Sequence, residues 1–233
     1  MRMSDKIKWM TMKAILKDME EDREDCIHVS DIVYECARRG YYSIMRRRLL
    51  AKNDLSIFDK TLDEEQIITF WVGKKLHETP ISTDEIEGIP GHEFPLELEF
   101  TRNGKKYRVV GRADEIMKVD GEWVLIDKKT ARKSVSQPYS HHVEQVMMYS
   151  AMLKKQYGLN INRGAIIYIN VADKSIDVKD FPIPDKKKEI LERIIDRTMV
   201  IQDAIDSGVP PPPCPSWLCR YCEYFQICVE SGW

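Results

Sequence analysis

Between residues 96 and 127 the chain turns back on itself twice, each time on a dipeptide suited to a tight turn. Leu96, Leu98 and Phe100 alternate with Glu97 and Glu99, the period of a half-buried strand. Asn103-Gly104 follows, the strongest short hairpin signal a sequence carries. Tyr107 to Met117 then reads as the return strand. Asp120-Gly121 makes a second turn into Trp123–Asp127, where Val124-Leu125-Ile126 is apolar on both faces and so belongs inside a sheet. Three strands joined in this way form an antiparallel meander, and the rest of the chain has to pack on it.

Most of that remainder has helical period. Residues 5–22 predict a helix with Ile7, Met10, Ile15 and Met19 inward, ended by the acidic run Glu20 to Asp25. Ser30 reads as the N-cap of a second helix running to Leu50. That segment carries Cys36, the arginines Arg38, Arg39, Arg46, Arg47 and Arg48, and the pair Tyr41-Tyr42 between the two arginine groups. Thr61 and Glu64 make a capping box for a third helix, with Ile67, Ile68, Trp71, Val72 and Leu76 leading to His77. After a polar loop, residues 141–157 predict a helix with Val143, Val146, Met147, Ser150, Ala151 and Leu153 on its apolar side. Ala165 to Val171 is a buried type of strand, and Ser175 to Phe181 pairs with it across Asp173-Lys174. Residues 185–207 predict a long helix stopped by Gly208. A stiff proline run, Pro210 to Pro213, then delivers Cys214 to Trp233, a tail too short to bury a core of its own.

Charge and cysteine usage narrow the function. Lys and Arg total 36 against 38 Asp and Glu, which excludes a uniformly basic coating protein but not a local basic groove. No apolar run approaches the roughly 18 residues of a membrane span. Met1 to Met12 alternates charged and apolar residues without a signal-peptide core, so the expected location is cytoplasmic, with no membrane partner. Disulfides are rare in that compartment. Four of the six cysteines, Cys214, Cys219, Cys222 and Cys228, fall in the last twenty residues, which points to metal ligation.

The meander itself carries a chemical constellation. Asp114 lies near the end of the second strand, in Gly111-Arg112-Ala113-Asp114. Asp127 ends the third, in Ile126-Asp127-Lys128-Lys129, and shares a face with Lys129 two residues on. Two carboxylates suit a hard divalent cation, Mg2+ or Mn2+, which neutralises a phosphate and acidifies a water. A lysine beside it stabilises the charge that develops at phosphorus. By itself an Asp-Lys-Lys strand end is equally an ordinary polar rim. Gln145 and Tyr149 share one helix face four residues apart. The segments Arg38 to Arg48 and Lys128 to Lys133 could track a phosphate backbone, and Tyr41-Tyr42 could stack on a strand.

Taken in order, Gly73 to His77, Gly111 to Asp114, Asp127 to Lys129 and Gln145 to Tyr149 resemble the four motifs of the RecB-like branch of the PD-(D/E)XK nuclease superfamily. The resemblance covers about residues 25 to 230. It implies that His77, Asp114, Asp127 and the backbone carbonyl of Lys128 bind the metal. It also implies that Lys129 is the catalytic lysine and that Gln145 and Tyr149 contact substrate or support the site. The tail, Cys219-x2-Cys222-x5-Cys228, supplies three thiolates, and Cys36 is the best candidate for a fourth. This one-plus-three layout resembles the iron–sulfur RecB-like exonucleases, above all the CRISPR-associated ones of the fourth Cas family, and so implies a 4Fe-4S cluster. A four-cysteine zinc site is the alternative, Cys214 competes as a ligand, and Cys26 is an ordinary thiol.

The expected fold is α/β: a restriction-endonuclease-like PD-(D/E)XK core, with a mixed central sheet flanked by helices and a cysteine-ligated iron–sulfur tail. It is read as one domain over 1–233, with a helical segment 1–80, a catalytic core 94–208 and a tail 214–233 closing onto Cys36. The expected function is a metal-dependent exonuclease on single-stranded DNA ends. The resemblance further implies spacer trimming, with the Cas integrase as partner. The rivals are a free-standing repair or recombination nuclease, a non-catalytic iron–sulfur DNA-binding module and a zinc-stapled interaction protein.

Overall fold

A computed structural model of the chain describes residues 3–20, 25–52 and 64–231. It opens with α1 (Met3–Glu20), β1 (Ile27–His28), the single turn α2 (Val29–Ile32) and α3 (Ala37–Ala51). Helix α4 (Glu64–His77) precedes a small ribbon of β2 (Glu85–Ile86) and β3 (Ile89–Pro90). The predicted meander follows as β4 (His92–Arg102), β5 (Lys105–Val119) and β6 (Glu122–Ala131). Then come α5 (Ser140–Tyr157), β7 (Arg163–Asn170), β8 (Ser175–Pro182) and α6 (Lys187–Ser207). A 3-10 turn (Trp217–Tyr221) and α7 (Phe225–Glu230) complete the tail.

Both meander turns are of the kind their dipeptides predict. Asn103 and Gly104 have φ of 51° and 75°, and Asp120 and Gly121 have 53° and 85°, the left-handed pair of a two-residue hairpin. β5 pairs antiparallel with β4 and β6, while β6 pairs parallel with β7 and β7 antiparallel with β8. A parallel neighbour needs a crossover, and α5 supplies it between β6 and β7. The short β1 adds a parallel strand to β5, so the sheet is mixed and six-stranded. α5 is buried nearly all round, through Val146, Met148, Tyr149, Ala151, Met152 and Leu153, because it lies between the sheet and α6. α6 presents Ile190, Ile194 and Ile201 to the same core and ends at Gly208, whose φ is 68°. Among the described residues no helix is long and apolar enough to cross a membrane.

Three sequence expectations change. The helix predicted from Ser30 to Leu50 is two helices, and the residue before the first of them is His28, not Ser30. Asp31 explains the break. Its buried carboxylate accepts from the His28 N–H (2.9 Å), the Ser43 hydroxyl (2.7 Å) and both terminal nitrogens of Arg47 (3.0 and 2.8 Å). Those bonds fold α3 back against α2. Gly40 permits the approach, since a Cβ there would stand 2.4 Å from the Asp31 carbonyl oxygen.

Second, Ile7 and Met10 of α1 are exposed. Asp18 of this helix accepts from the Trp71 indole at 3.0 Å and from Lys75. Third, Tyr41 and Tyr42 are buried against Ala204 and Tyr224 of the C-terminal region, so neither is a surface for a strand. The capping residue Thr61 and residues 21–24 of the acidic run lie outside the described residues.

Candidate functional site

The strand register brings three carboxylates into line. Glu115 pairs with Ile126, which sets Asp114 opposite Asp127 one step on. On the other edge of β5, His92 pairs with Glu115 and Phe94 with Ala113, which sets Glu93 opposite Asp114. Cross-strand neighbours share a face. Glu93 has a φ of 51°, a left-handed conformation uncommon for a residue with a side chain. Sequence reasoning found Asp114 and Asp127 but missed Glu93, because nothing in His92-Glu93-Phe94 marks a backbone that leaves the strand conformation.

His77, at the last position of α4, meets this row. Its Nδ1 lies 2.9 Å from Asp114 Oδ2. One ligand atom from each of His77, Glu93 and Asp114 falls within 4.8 Å of the others, a grouping able to hold a cation. Asp127 stands beside them with its Oδ2 buried and without a hydrogen-bond partner. Its Oδ1 accepts from Lys129 Nζ at 2.7 Å. Oxygen donors, one imidazole and an unsatisfied buried carboxylate oxygen are what a hard divalent ion needs, so these residues fit such an ion.

Electrostatics separate the two aspartates. Burial pushes Asp127 up to about 6 against the pull of Lys129, and the Asp114 charge adds to the rise. Burial also acts on Asp114, but the hydrogen bond and charge of His77, with Lys129 and the Lys128 N–H, outweigh it and hold that carboxyl below the usual range. Burial opposes the Lys129 charge, yet Asp127 and Asp114 keep its ammonium above the ordinary lysine value. A carboxylate row with one firmly charged lysine can take a cation and a phosphate together.

Lys128 does more than the sequence suggested. Its N–H donates to Asp114 Oδ2 at 2.6 Å. Its buried ammonium points the other way, to the Thr79 carbonyl (2.5 Å), the His77 carbonyl (3.5 Å) and Glu115 (3.3 Å). Glu115 also accepts from the Ile81 N–H at 2.7 Å and faces His92 Nδ1 at 3.0 Å. This buried cluster fastens the end of α4 to the sheet and so places His77. Of the basic run to Lys133, Lys128 is therefore unavailable to a phosphate backbone.

Gln145 donates to the Tyr149 hydroxyl at 2.9 Å, and Tyr149 is buried. Gly111 is part of the same joint. A Cβ there would sit 2.7 Å from the Tyr149 ring, so two of the sequence motifs are one packing contact. Gly73 is different: a Cβ there would meet Thr130 at an ordinary 3.5 Å.

A second site lies at the tail. Cys36, Cys214, Cys219, Cys222 and Cys228 line one pocket, with Arg38 and Arg39 in its wall. The Ser216 N–H donates to Cys219 Sγ at 3.3 Å and Arg38 to Cys228 Sγ at 3.6 Å, the type of bond that stabilises a thiolate. Five thiols around one pocket fit a cysteine-held group and include the predicted four. The arginines expected to track a strand are fasteners of this tail and of α2. Arg39 pairs with Glu223 at 3.0 Å, Arg38 donates to the Pro211 carbonyl at 2.5 Å and Arg47 holds Asp31. Only spatial proximity reveals the first two, since Glu223 and Pro211 lie more than 170 residues from their arginines, whereas Asp31 is 16 residues from Arg47.

The profile of the PD-(D/E)XK nuclease superfamily matches residues 35–229. The CRISPR-associated exonuclease Cas4 of Saccharolobus solfataricus is 27% identical over 207 residues, 88% of each chain. A Cas4/Cas1 exonuclease–endonuclease fusion from Leptospira interrogans is 26% identical over 166 residues, which cover 69% of this chain and 28% of the fusion. Among solved structures, that of SSO0001 aligns over 95% of this chain and 97% of its own, with a TM-score of 0.60 at 22% identity, a likeness of fold.

Proposed function

Because the chain belongs to the PD-(D/E)XK nuclease superfamily, we propose that it is a metal-dependent DNA exonuclease acting on single-stranded ends. The observation that carries this is the row Glu93, Asp114 and Asp127 across three adjacent strands, with His77 above it and Lys129 bonded to Asp127. We assign His77, Glu93, Asp114 and Asp127 to the cation, with the Lys128 carbonyl as the further ligand implied by the motif. A divalent ion there supplies charge neutralisation for the phosphate and a water acidified for attack. Lys129 contributes the fixed positive charge beside the phosphate and orients the attacking water through its ammonium. Lys128 and Glu115 hold His77 in place, and Gln145 and Tyr149 brace the sheet below.

The tail is assigned a 4Fe-4S cluster held by Cys36, Cys219, Cys222 and Cys228, with the single chain 1–233 as one nuclease unit. The shared pocket of five thiols supports this reading, and the one-plus-three spacing, which resembles the iron–sulfur RecB-like exonucleases, favours it over zinc. The Cas4/Cas1 fusion supports a Cas1 endonuclease as partner, and the family resemblance extends this to spacer acquisition beside an integrase. Incubating the purified protein with a single strand labelled at either end, with Mn2+, Mg2+ or EDTA, tests the proposal. Stepwise shortening that needs the ion is expected, and the labelled end that survives gives the polarity. Binding without cleavage in either ion would leave a DNA-binding module instead.

A further inference from the structure

The sequence motifs leave an aromatic column unaccounted for. The Arg39 guanidinium lies 3.7 Å over the Tyr34 ring. Tyr34 stacks on His141 with centroids 4.9 Å apart, and His141 stacks on Tyr139 at 5.8 Å with the rings 12° from parallel. His142 packs edge-on against His141 at 4.2 Å and against Tyr139 at 5.6 Å. The column is fixed from beneath. The Tyr139 N–H donates to the Tyr168 hydroxyl at 3.0 Å, and the Tyr168 O–H reaches His142 Nδ1 at 2.9 Å. One end is closed by Arg39, and the other is Tyr139, 44% exposed.

Position gives the column a partner. Tyr34, His141 and His142 each lie close enough to Lys129 to interact with its charge. Tyr139 caps the N-terminal end of the 18-residue α5, where the helix dipole favours a phosphate. Burial, with Arg39 and Lys129 nearby, keeps His141 neutral, so the middle of the stack adds no charge. A preformed column of flat rings that ends in an exposed tyrosine, and whose inner rings feel the Lys129 charge, fits one ligand: an unpaired base whose own phosphate lies towards Lys129.

We infer that Tyr139, backed by His141 and Tyr34, is a stacking platform for a nucleobase of the single strand next to the scissile phosphate. This rests on the DNA-cleaving reading above for its choice of ligand. A duplex keeps its bases stacked on one another and presents none to such a platform. The column therefore selects unpaired ends without reading their sequence.

The test is equilibrium binding in EDTA, where no cleavage intervenes, by fluorescence anisotropy. A labelled oligothymidylate is compared with an abasic strand of equal length, which has the same phosphates and no bases. Wild type is expected to prefer the oligothymidylate by about tenfold, the scale of one stacked base. Tyr139→Ala is expected to reduce the preference to less than about twofold, and Tyr139→Phe to keep it. Residue 139 donates to Tyr168 through its backbone, so the alanine variant retains the joint. Equal binding of both strands by wild type, or an unchanged preference in Tyr139→Ala, overturns the platform. A Tyr139-dependent preference in a protein that cleaves no DNA with Mn2+ upholds the platform and defeats the nuclease reading instead.

Discussion

Asp127 is where burial and charge oppose each other most directly. Its folded carboxyl is raised to about 6, against about 4 in an unfolded chain. The folded protein thus holds that proton more tightly than the unfolded one. The stability so contributed is full below pH about 4 and is lost as pH rises through about 6. Two units correspond to about 3 kcal/mol. Asp127→Asn keeps a neutral amide whose oxygen still accepts from Lys129. In thermal melts in EDTA, the variant should therefore melt above wild type beyond pH 6, with the gap closing towards pH 4. A gap independent of pH would show that the buried charge is not what costs stability. Glycine gives a second contrast at this scale. Gly111→Ala should cost about 1–3 kcal/mol in urea unfolding, because its Cβ would press into Tyr149 at 2.7 Å. Gly73→Ala should leave stability unchanged or raise it by up to about 1 kcal/mol, because α4 gains a better helix former without a clash. Glu93→Gln removes one charged donor from the row and should weaken Mn2+ binding by about tenfold or more in calorimetric titration. Unchanged affinity would take Glu93 out of the ligand set.

Among the elements, those legible in the sequence were set by local rules. The meander followed from alternation plus Asn103-Gly104 and Asp120-Gly121, and the parallel β6–β7 pair follows from placing a helix between two apolar strands. Asp114 and Asp127 could be paired on paper because the hairpin between them fixes the register. The break after Ile32 was not legible, since it depends on the Asp31–Arg47 pair across a fold in the chain. Nor was the burial of Tyr41 and Tyr42, whose partners Ala204 and Tyr224 arrive from the far end of the sequence. Glu93 was hidden because a left-handed residue inside a strand leaves no compositional trace, and the Tyr34–His141–Tyr139 column because its members lie on separate elements. The tail gives this scale its own prediction. Cys36→Ala, Cys219→Ala, Cys222→Ala or Cys228→Ala should each abolish the visible absorption of anaerobically purified protein and lower its melting temperature. Cys26→Ala should keep both. A colourless wild type containing zinc would contradict the cluster.

Across the whole molecule, the C-terminal tail returns to α3. Arg38, Arg39 and Tyr42 reach from it to Pro211, Glu223 and Ser231. α3 also stacks Arg39 on Tyr34, the inner end of the aromatic column. In the proposed reaction Lys129 and the row beside it act as one hydrolytic centre. Its most direct test is the rate of single-turnover cleavage of an end-labelled single strand in Mn2+, wild type against Lys129→Ala, with the binding affinity of each for the same strand in EDTA. The account predicts a rate lower by about 10²–10⁴ in the variant with DNA still bound. Equal rates in the two proteins, with equal binding, would contradict it.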